Sequence, residues 1–531
     1  MQESKGRQLM KGAIAVSAAA LFAKVLSAAY RIPYQNIAGD VGFYVYQQLY
    51  PFYGFVMLVS MYGFPVVLSK HIAEQEAKAR YDQARLTMAV SFYSLFILAA
   101  LLWGSLHLTA PLVAMAMGDI NLVAPIRAVA LTFWLMPFLS IGRGYHQAKQ
   151  RLTPTAISHI SEQFVRVTMI LVFVVMIVGQ TGSPYDVAIG AIYGSLIGGI
   201  TGVVVLIFLS RGVSWQEWFK VRGASFRDIW RIHSILIKQG IFVCISALLF
   251  IFFQFIDAFT VVPSLAGYGL RDVQAFTEKG IYDRGQPLLQ LGTIVTTTFS
   301  LTLVPLLAKS LSTGEKGKAR LYQDVALRLT ILIGGAASVG LISIIQPTNM
   351  MLYGSVDGSF VLAVLSLAIF FSSLYLITSA ILQGYGRVHV PAHVMALGIV
   401  VKLCLNLLLI PFIGTLGAAL ATVLATALMA SIQLIALKKL QRGLIADRSF
   451  YYWTLATFTL LALCTVSWQI GLQLVLPFDG SRYVASITAL STVSVGGIVM
   501  VACFIYWPFM TNHEWETVPK LNKLRNVLRR K

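Results

Sequence analysis

Charge is scarce in this sequence. Only 12% of its 531 residues are Asp, Glu, Lys or Arg, about half the share of an ordinary soluble domain. Acid is scarcer still, with 21 Asp and Glu against 41 Lys and Arg, a net charge of +20. Cysteine is nearly absent. Cys244, Cys404, Cys464 and Cys503 each sit in an apolar run without a CxxC or CxxH neighbour, which excludes a disulfide framework and a zinc site. The phosphate-binding loop is missing as well. The nearest string, Gly314-Glu315-Lys316-Gly317-Lys318-Ala319, has neither the spacing nor the hydroxyl that Mg²⁺ requires. No GxSxG elbow and no HExxH string occurs. His389 and His393 stand four apart around Pro391 and read as interfacial histidines. An enzyme therefore has no site to stand on, and neither a cofactor nor a metal is expected.

What the chain has in excess is apolar surface. Hydrophobic residues make up 57%, and the mean hydropathy is +0.76. A soluble chain could not cover so much of it, and a disordered one has the opposite balance. A polytopic, all-α membrane protein remains, because only helices or closed barrels satisfy their backbone within lipid. Runs long enough to cross a bilayer give fourteen expected spans. They lie near 10–31, 43–69, 86–107, 122–145, 155–178, 185–210, 235–262, 282–308, 321–345, 359–384, 391–411, 414–437, 450–476 and 483–509. The first is not a secretory signal: Lys24 interrupts it and no small-residue cleavage site follows.

The connecting segments alternate in charge. Basic residues crowd the amino terminus, Lys70 to Arg85, Arg143 to Arg151, Arg211 to Lys238, Lys309 to Arg320, Lys438 to Arg448, and the tail from Lys520 to Lys531. The intervening set holds only Arg271, Lys279 and Arg482. Positive charge stays on the cytoplasmic side, so both termini are expected there, in a multi-pass plasma-membrane protein. The basic balance thus reports orientation, and nucleic acid is not an expected partner.

The sequence also repeats. Gly144-Tyr145-His146-Gln147 precedes Pro154, and Gln383-Gly384-Tyr385-Gly386 precedes Pro391. Arg166 and Lys402 follow these prolines at nearly equal spacing. Two six-helix lobes are expected, residues 1–223 and 224–445, then two more helices in 446–510 and a basic tail in 511–531. Six spans per repeat give lobes of the same orientation, related by a pseudo-twofold axis along the membrane normal, the plan of many transporters.

Ionisable groups inside spans are costly and tend to face a cavity or a partner. The cations are Lys24, Arg31, Arg166, Arg284 and Lys402; the acids are Glu162, Asp257 and Asp283. Glu162 and Arg166, four apart, are placed to pair along one helix face. Asp257 has no local partner, and the repeat suggests Lys402, with Asn406 one turn on. Either pair is a structural salt bridge or an ion- or proton-coupling site. Lys24, Arg31 and Arg284 suit an anionic ligand, because Arg matches phosphate oxygens bidentately and Lys acts as a point charge. Interfacial anchoring is the plainer reading of Arg31 and Arg284. Tyr44, Tyr46, Gln47, Gln48 and Tyr50, with Gln286 in helix 8, are candidate cavity-lining polar groups, and tyrosines also form interfacial belts.

The string Gly42-Phe43-Tyr44-Val45-Tyr46-Gln47-Gln48-Leu49-Tyr50-Pro51-Phe52-Tyr53, then Gly63-Phe64-Pro65 and Leu68-Ser69-Lys70, and Arg284-Gly285-Gln286-Pro287 in helix 8, resemble the polysaccharide-biosynthesis branch of the multidrug/oligosaccharidyl-lipid/polysaccharide (MOP) exporter superfamily. The likeness extends over the whole chain. It is nearest to Firmicute members of the stage V sporulation protein B, YabM-like and MurJ-type lipid II flippase groups. The resemblance implies a MATE-like pair of lobes with alternating access, and a polyprenyl-diphosphate-linked sugar carried from the cytoplasmic to the outer leaflet. It places Lys24, Arg31 and Arg284 as diphosphate ligands, and helices 13 and 14 beside the lipid tail. Helix 2 lacks the arginine that MurJ-type members carry there. A cation-coupled multidrug antiporter is the alternative within the superfamily. A non-transporting scaffold for cell-wall synthesis proteins is the alternative outside it.

Overall fold

The computed structural model describes residues 21–180, 182–211, 219–221, 224–245, 248–440, 448–477, 480–511 and 514–515. No strand occurs among them. Among the described residues, eleven helices are long and apolar enough to cross a membrane, and the chain is a multi-pass, all-α membrane protein. The expectation of fourteen spans differs for local reasons. The first of the eleven runs from Leu21 to Ala77, 57 residues, far more than the ~20 that one crossing needs, and it takes in two expected spans. The expected spans 235–262 and 282–308 are each divided between shorter helices.

Packing divides the chain into two compact units, residues 1–283 and 284–531. The repeat is expected to divide near residue 223. The contact boundary falls later because the helices after 223 pack on the first unit's own helices.

In the first unit, α1 (21–29) leads through Tyr30 into α2 (Arg31–Leu58). Within α2, Gly39 has φ 71° and ψ 179°, a conformation essentially open only to glycine. It breaks the helix and turns Asp40 to accept from Gln35 Nε2 at 2.8 Å. A π-helical turn, Val59–Gly63, joins α2 to α3 (Phe64–Ala77). Pro65 has no N–H and its ring crowds the carbonyl four residues back, so the widened turn before it is the expected accommodation. Then come α4 (Tyr81–Leu108), α5 (Ala110–Ala116), α6 (Val123–Ala130), α7 (Leu135–Ala148), α8 (Leu152–Val178) and α9 (Pro184–Leu209). Next are α10 (Phe226–Ile245), α11 (Leu249–Leu265) and α12 (Asp272–Asp283). α10 packs on α3, α4 and the π turn; α11 and α12 pack on α2.

The most extensive helix pairing among the described residues is α8 with α9. α9 carries Gly190, Gly194, Gly198 and Gly202 at four-residue spacing. A Cβ at Gly194 would lie 2.7 Å from the backbone N of Ile170, and one at Gly198 would lie 2.6 Å from Arg166 Cβ. Small residues let membrane helices approach this closely where no hydrophobic effect drives them together. The stripe fixes the face of α8 that carries Glu162 and Arg166.

The second unit holds α13 (Gly285–Gly292), α14 (Ile294–Ser312), α15 (Lys316–Ser343), α16 (Ile345–Tyr353), α17 (Ser359–Gly384), α18 (His389–Ile413) and α19 (Thr415–Leu440). It ends with α20 (Arg448–Val475) and α21 (Arg482–Tyr506). α17 is central, against α14, α15 and α19, with Leu303, Leu307, Leu327, Ile377 and Ile381 in one core cluster. α20 and α21 pack together and onto α15 and α16.

Candidate functional site

The first unit's interior buries Arg31 on α2, Arg143 and His146 on α7, and His159, Glu162 and Arg166 on α8. Glu162 does not pair with Arg166 as their spacing suggests. Arg143, from α7, takes it instead through Nη2 and Oε2 in a fully buried ion pair. Nη2 of Arg143 also reaches Ser158 Oγ at 3.4 Å, and Nη1 reaches the Ser60 carbonyl of the π turn at 3.4 Å. Ser158 Oγ donates to the Gly202 carbonyl at 3.0 Å, which ties the group to the α8–α9 seam. The reason for the correction is packing: α7 brings a guanidinium across from a neighbouring helix, and the i,i+4 rule concerns one helix alone. Arg143 sits between Gly142 and Gly144, which allow close approach of Leu206 and Leu68.

With Glu162 engaged, Arg166 has little to bind. Its Nη2 donates to Ser27 Oγ at 3.1 Å, while Nε and Nη1 are buried without a hydrogen-bond partner among the described residues. Its guanidinium lies 5.1 Å from the Tyr30 ring and 5.0 Å from the Tyr53 ring. Arg31 is barer. It is fully buried, and none of its three guanidinium nitrogens has a hydrogen-bond partner among the described residues. It stands 4.0 Å over the ring of Tyr50.

A cage of tyrosines surrounds both arginines. The hydroxyls of Tyr30 and Tyr46 are hydrogen-bonded. Tyr34 packs on Tyr46 at 4.7 Å, Tyr46 neighbours Tyr50 at 6.3 Å, and Tyr50 neighbours Tyr53 at 6.5 Å. Tyr46, Tyr50 and Tyr53 also border a small cavity with Leu49, Val129, Thr132, Ile192 and Ser195, with room for about one water molecule. Aromatic faces attract cations, but they leave N–H donors unsatisfied. Five guanidinium nitrogens therefore lie among tyrosine rings and hydroxyls without a well-formed hydrogen bond among the described residues, a donor surplus that an anion would satisfy.

The other expected residues fall in several places. Lys24 is half-buried on α1. Tyr46 belongs to the cage. Tyr44 lies farther along, stacked on Phe276 at 4.8 Å and hydrogen-bonded to Asp119 Oδ2 at 3.3 Å. Tyr185 donates to the same oxygen at 2.9 Å, and burial raises the Asp119 carboxyl above its ordinary range. Gln47 is buried, and Gln48 Nε2 donates to the Ala258 carbonyl of α11 at 3.1 Å. Asp257 does have a local partner: Tyr282 donates to its Oδ2 at 3.1 Å. Asp283 pairs with Lys279, both buried in α12, so Lys279 is an interior residue rather than a loop cation.

In the second unit Arg284 is buried at the head of α13. Its Nη1 donates to Asn349 Oδ1 at 3.3 Å, and its guanidinium lies 5.5 Å from the Tyr353 ring. Gln286 is buried two residues on. Lys402 Nζ donates to Thr422 Oγ1 at 2.7 Å, and Asn406 is buried beneath it on α18. Arg31 and Arg284 were legible as in-span cations. Tyr46 and Tyr50 were legible as candidate cavity-lining groups; the roles of Arg143 and of the cage members Tyr30, Tyr34 and Tyr53 were not, although the density of Tyr between 30 and 53 was the available signal. No cluster of three or more metal-ligating side chains occurs among the described residues.

Comparison with known proteins agrees with this architecture. Residues 9–311 match the model of the family described as polysaccharide biosynthesis protein. The uncharacterized membrane protein YabM of Bacillus subtilis is 34% identical over 99% of this chain and 98% of its own. The lipid II flippase MurJ of the same organism is 24% identical over 93% of this chain and 95% of its own. An inward-facing multidrug resistance MATE family transporter of the MOP superfamily superposes with a TM-score of 0.63 at 16% identity, over 78% of this chain and 96% of that one. With more than half of the chain matched and one relative similar along its full length, this membrane protein belongs to the polysaccharide biosynthesis protein family.

Proposed function

We propose that the protein is a flippase for a lipid-linked glycan. It takes a polyprenyl-diphosphate-linked oligosaccharide from the cytoplasmic leaflet to the outer leaflet of the plasma membrane by alternating access, with both termini cytoplasmic. The observation that carries this reading is Arg31, a buried guanidinium with three nitrogens lacking a hydrogen-bond partner among the described residues. A buried unpaired charge costs several kcal/mol, and a phosphate supplies the missing acceptors. The MurJ relative is named a lipid II flippase, which supports the same substrate class. Lys24, half-buried on α1 of the same unit, contributes further positive charge. The tyrosine rings close over Arg31, so they must part for the headgroup to enter. The bilayer is the working environment, and cell-wall synthesis proteins are the downstream partners this substrate implies.

The test uses cells depleted of their own lipid II flippases. Expression of this chain should expose polyprenyl-diphosphate-linked sugars on the outer face, and Arg31→Gln should abolish exposure at equal membrane abundance. Full activity in Arg31→Gln overturns the site. A cation-coupled drug antiporter would instead lose drug efflux in Asp257→Asn and tolerate the Arg31 change. A scaffold would tolerate both.

A further inference from the structure

We infer that Arg166 is a second anion receptor beside Arg31, so that the cage selects a ligand with two adjacent anionic groups, a diphosphate over a monophosphate, and that Arg143 keeps Arg166 available. The inference rests on the flippase reading above and assigns residues within it. Four observations carry it. First, both guanidiniums stand against neighbouring tyrosines, Arg31 on Tyr50 and Arg166 on Tyr53, whose ring centroids are 6.5 Å apart. The hydrogen-bonded Tyr30–Tyr46 pair joins the same group, with Arg166 also near Tyr30. Second, Arg166 is fully buried, yet Nε and Nη1 have no hydrogen-bond partner among the described residues. Third, a carboxylate stands one turn away on the same helix, where pairing would be ordinary, and it is turned to Arg143 instead. Fourth, α8 is held at backbone contact by the α9 glycines, so Arg166 is presented from a rigid support.

The arrangement has a clear electrostatic logic. If Glu162 paired with Arg166, the cage would hold a neutral pair and one cation. Arg143 takes Glu162 Oε2, with His159 Nδ1 3.8 Å from the same oxygen, and the Tyr53 hydroxyl donates to Oε1 at 3.5 Å, so the carboxylate meets the cage through a neutral hydroxyl and pairs with neither of the cage's two cations. Two adjacent guanidiniums match the two charged groups of a diphosphate, whereas a monophosphate can satisfy only one fully. Arg143 does not touch the ligand in this scheme. It is a positioning residue acting through Glu162.

The experiment measures binding to the purified full-length protein by ligand-induced thermal shift, with polyprenyl diphosphate and polyprenyl monophosphate as the two probes. The wild type should prefer the diphosphate by about tenfold or more, the worth of one charge-assisted hydrogen-bonded contact. Arg166→Gln should lower diphosphate affinity to near the monophosphate value. Its ligand-free melting should not fall, because an unpaired buried cation is removed. Arg143→Gln should cause the same loss of preference, since the freed Glu162 turns to Arg166, and its melting should hold because the carboxylate regains a partner. The double variant Arg143→Gln/Glu162→Gln should recover the preference. A merely structural role for Arg143 predicts that binding follows melting in all variants. Retained preference in Arg166→Gln or in Arg143→Gln, or no recovery in the double variant, overturns the inference while leaving the flippase reading intact, provided Arg31→Gln abolishes binding. A wild type that binds neither lipid overturns both.

Discussion

The two compact units treat buried cations differently. In the second unit each has an acceptor: Arg284 has Asn349, Lys402 has Thr422, and Arg328 has both Glu514 and the Phe509 carbonyl. In the first unit Arg143 is equally well provided, through Glu162, Ser158 and Ser60. Arg31 has no acceptor and Arg166 only Ser27 Oγ, which leaves five of their six guanidinium nitrogens without a hydrogen-bond partner among the described residues. A paired buried charge is part of the scaffold, and its loss strands its partner. An unpaired one is a cost to the fold, retained because something else binds it. The sorting is by partner rather than by burial, since all of these side chains are buried.

The sharpest way to test the contrast is to delete one cation of each kind. Arg328 and Glu514 have side chains only 10% and 6% exposed. Arg328→Met leaves the Glu514 carboxylate buried without its guanidinium, which should destabilise the protein by about 3 kcal/mol. Thermal melting in detergent would read the loss. Arg31→Gln, by contrast, strands nothing and should leave the melting temperature unchanged or raised. Equal losses in the two variants would break the comparison.

A smaller effect tests the support beneath Arg166. Gly198→Ala places a methyl against Arg166 Cβ and the Glu162 carbonyl. Neither backbone can yield without parting α8 from α9, so the substitution should cost about 2 kcal/mol. Gly497→Ala, on α21 with open space at its Cβ position, should cost nothing measurable by the same melting assay. If Gly198→Ala is equally silent, the seam is looser than the contacts indicate and cannot hold Arg166 rigidly.

What the sequence disclosed follows from how far each signal reaches. Apolar run length acts residue by residue, so membrane class and most spans were legible. Runs broken by a glycine or a buried pair, as at Gly39 and Lys279–Asp283, were misjudged. Arg31, Arg166 and Arg284 stood out because charge in an apolar run needs no neighbour to be noticed. Their partners were not legible. Spacing reports only which residues share a face of one helix, and it favoured Glu162 with Arg166. The choice of Arg143 depends on how α7 crosses α8 and on the widened turn that brings the Ser60 carbonyl toward it. The cage was half legible: the tyrosines were visible, but a membrane-belt reading competed until α1 and α2 were seen to fold them around two cations.

The mildest test concerns Arg284 of the second unit. The Tyr353 hydroxyl donates to the Arg284 carbonyl at 2.9 Å, while its ring lies 5.5 Å from the Arg284 guanidinium. Tyr353→Phe keeps the ring and removes one neutral hydrogen bond. Such bonds contribute about 0.6–1 kcal/mol inside membrane proteins, so melting should fall slightly. Because Asn349 still holds the guanidinium, and is itself held by the Asp357 carbonyl and Ser359, transport should remain near normal. A large loss of transport with unchanged melting would mean that Arg284 is poised rather than anchored. The second unit would then carry a functional cation despite its full set of partners, and the presence of a partner would no longer separate scaffold from site.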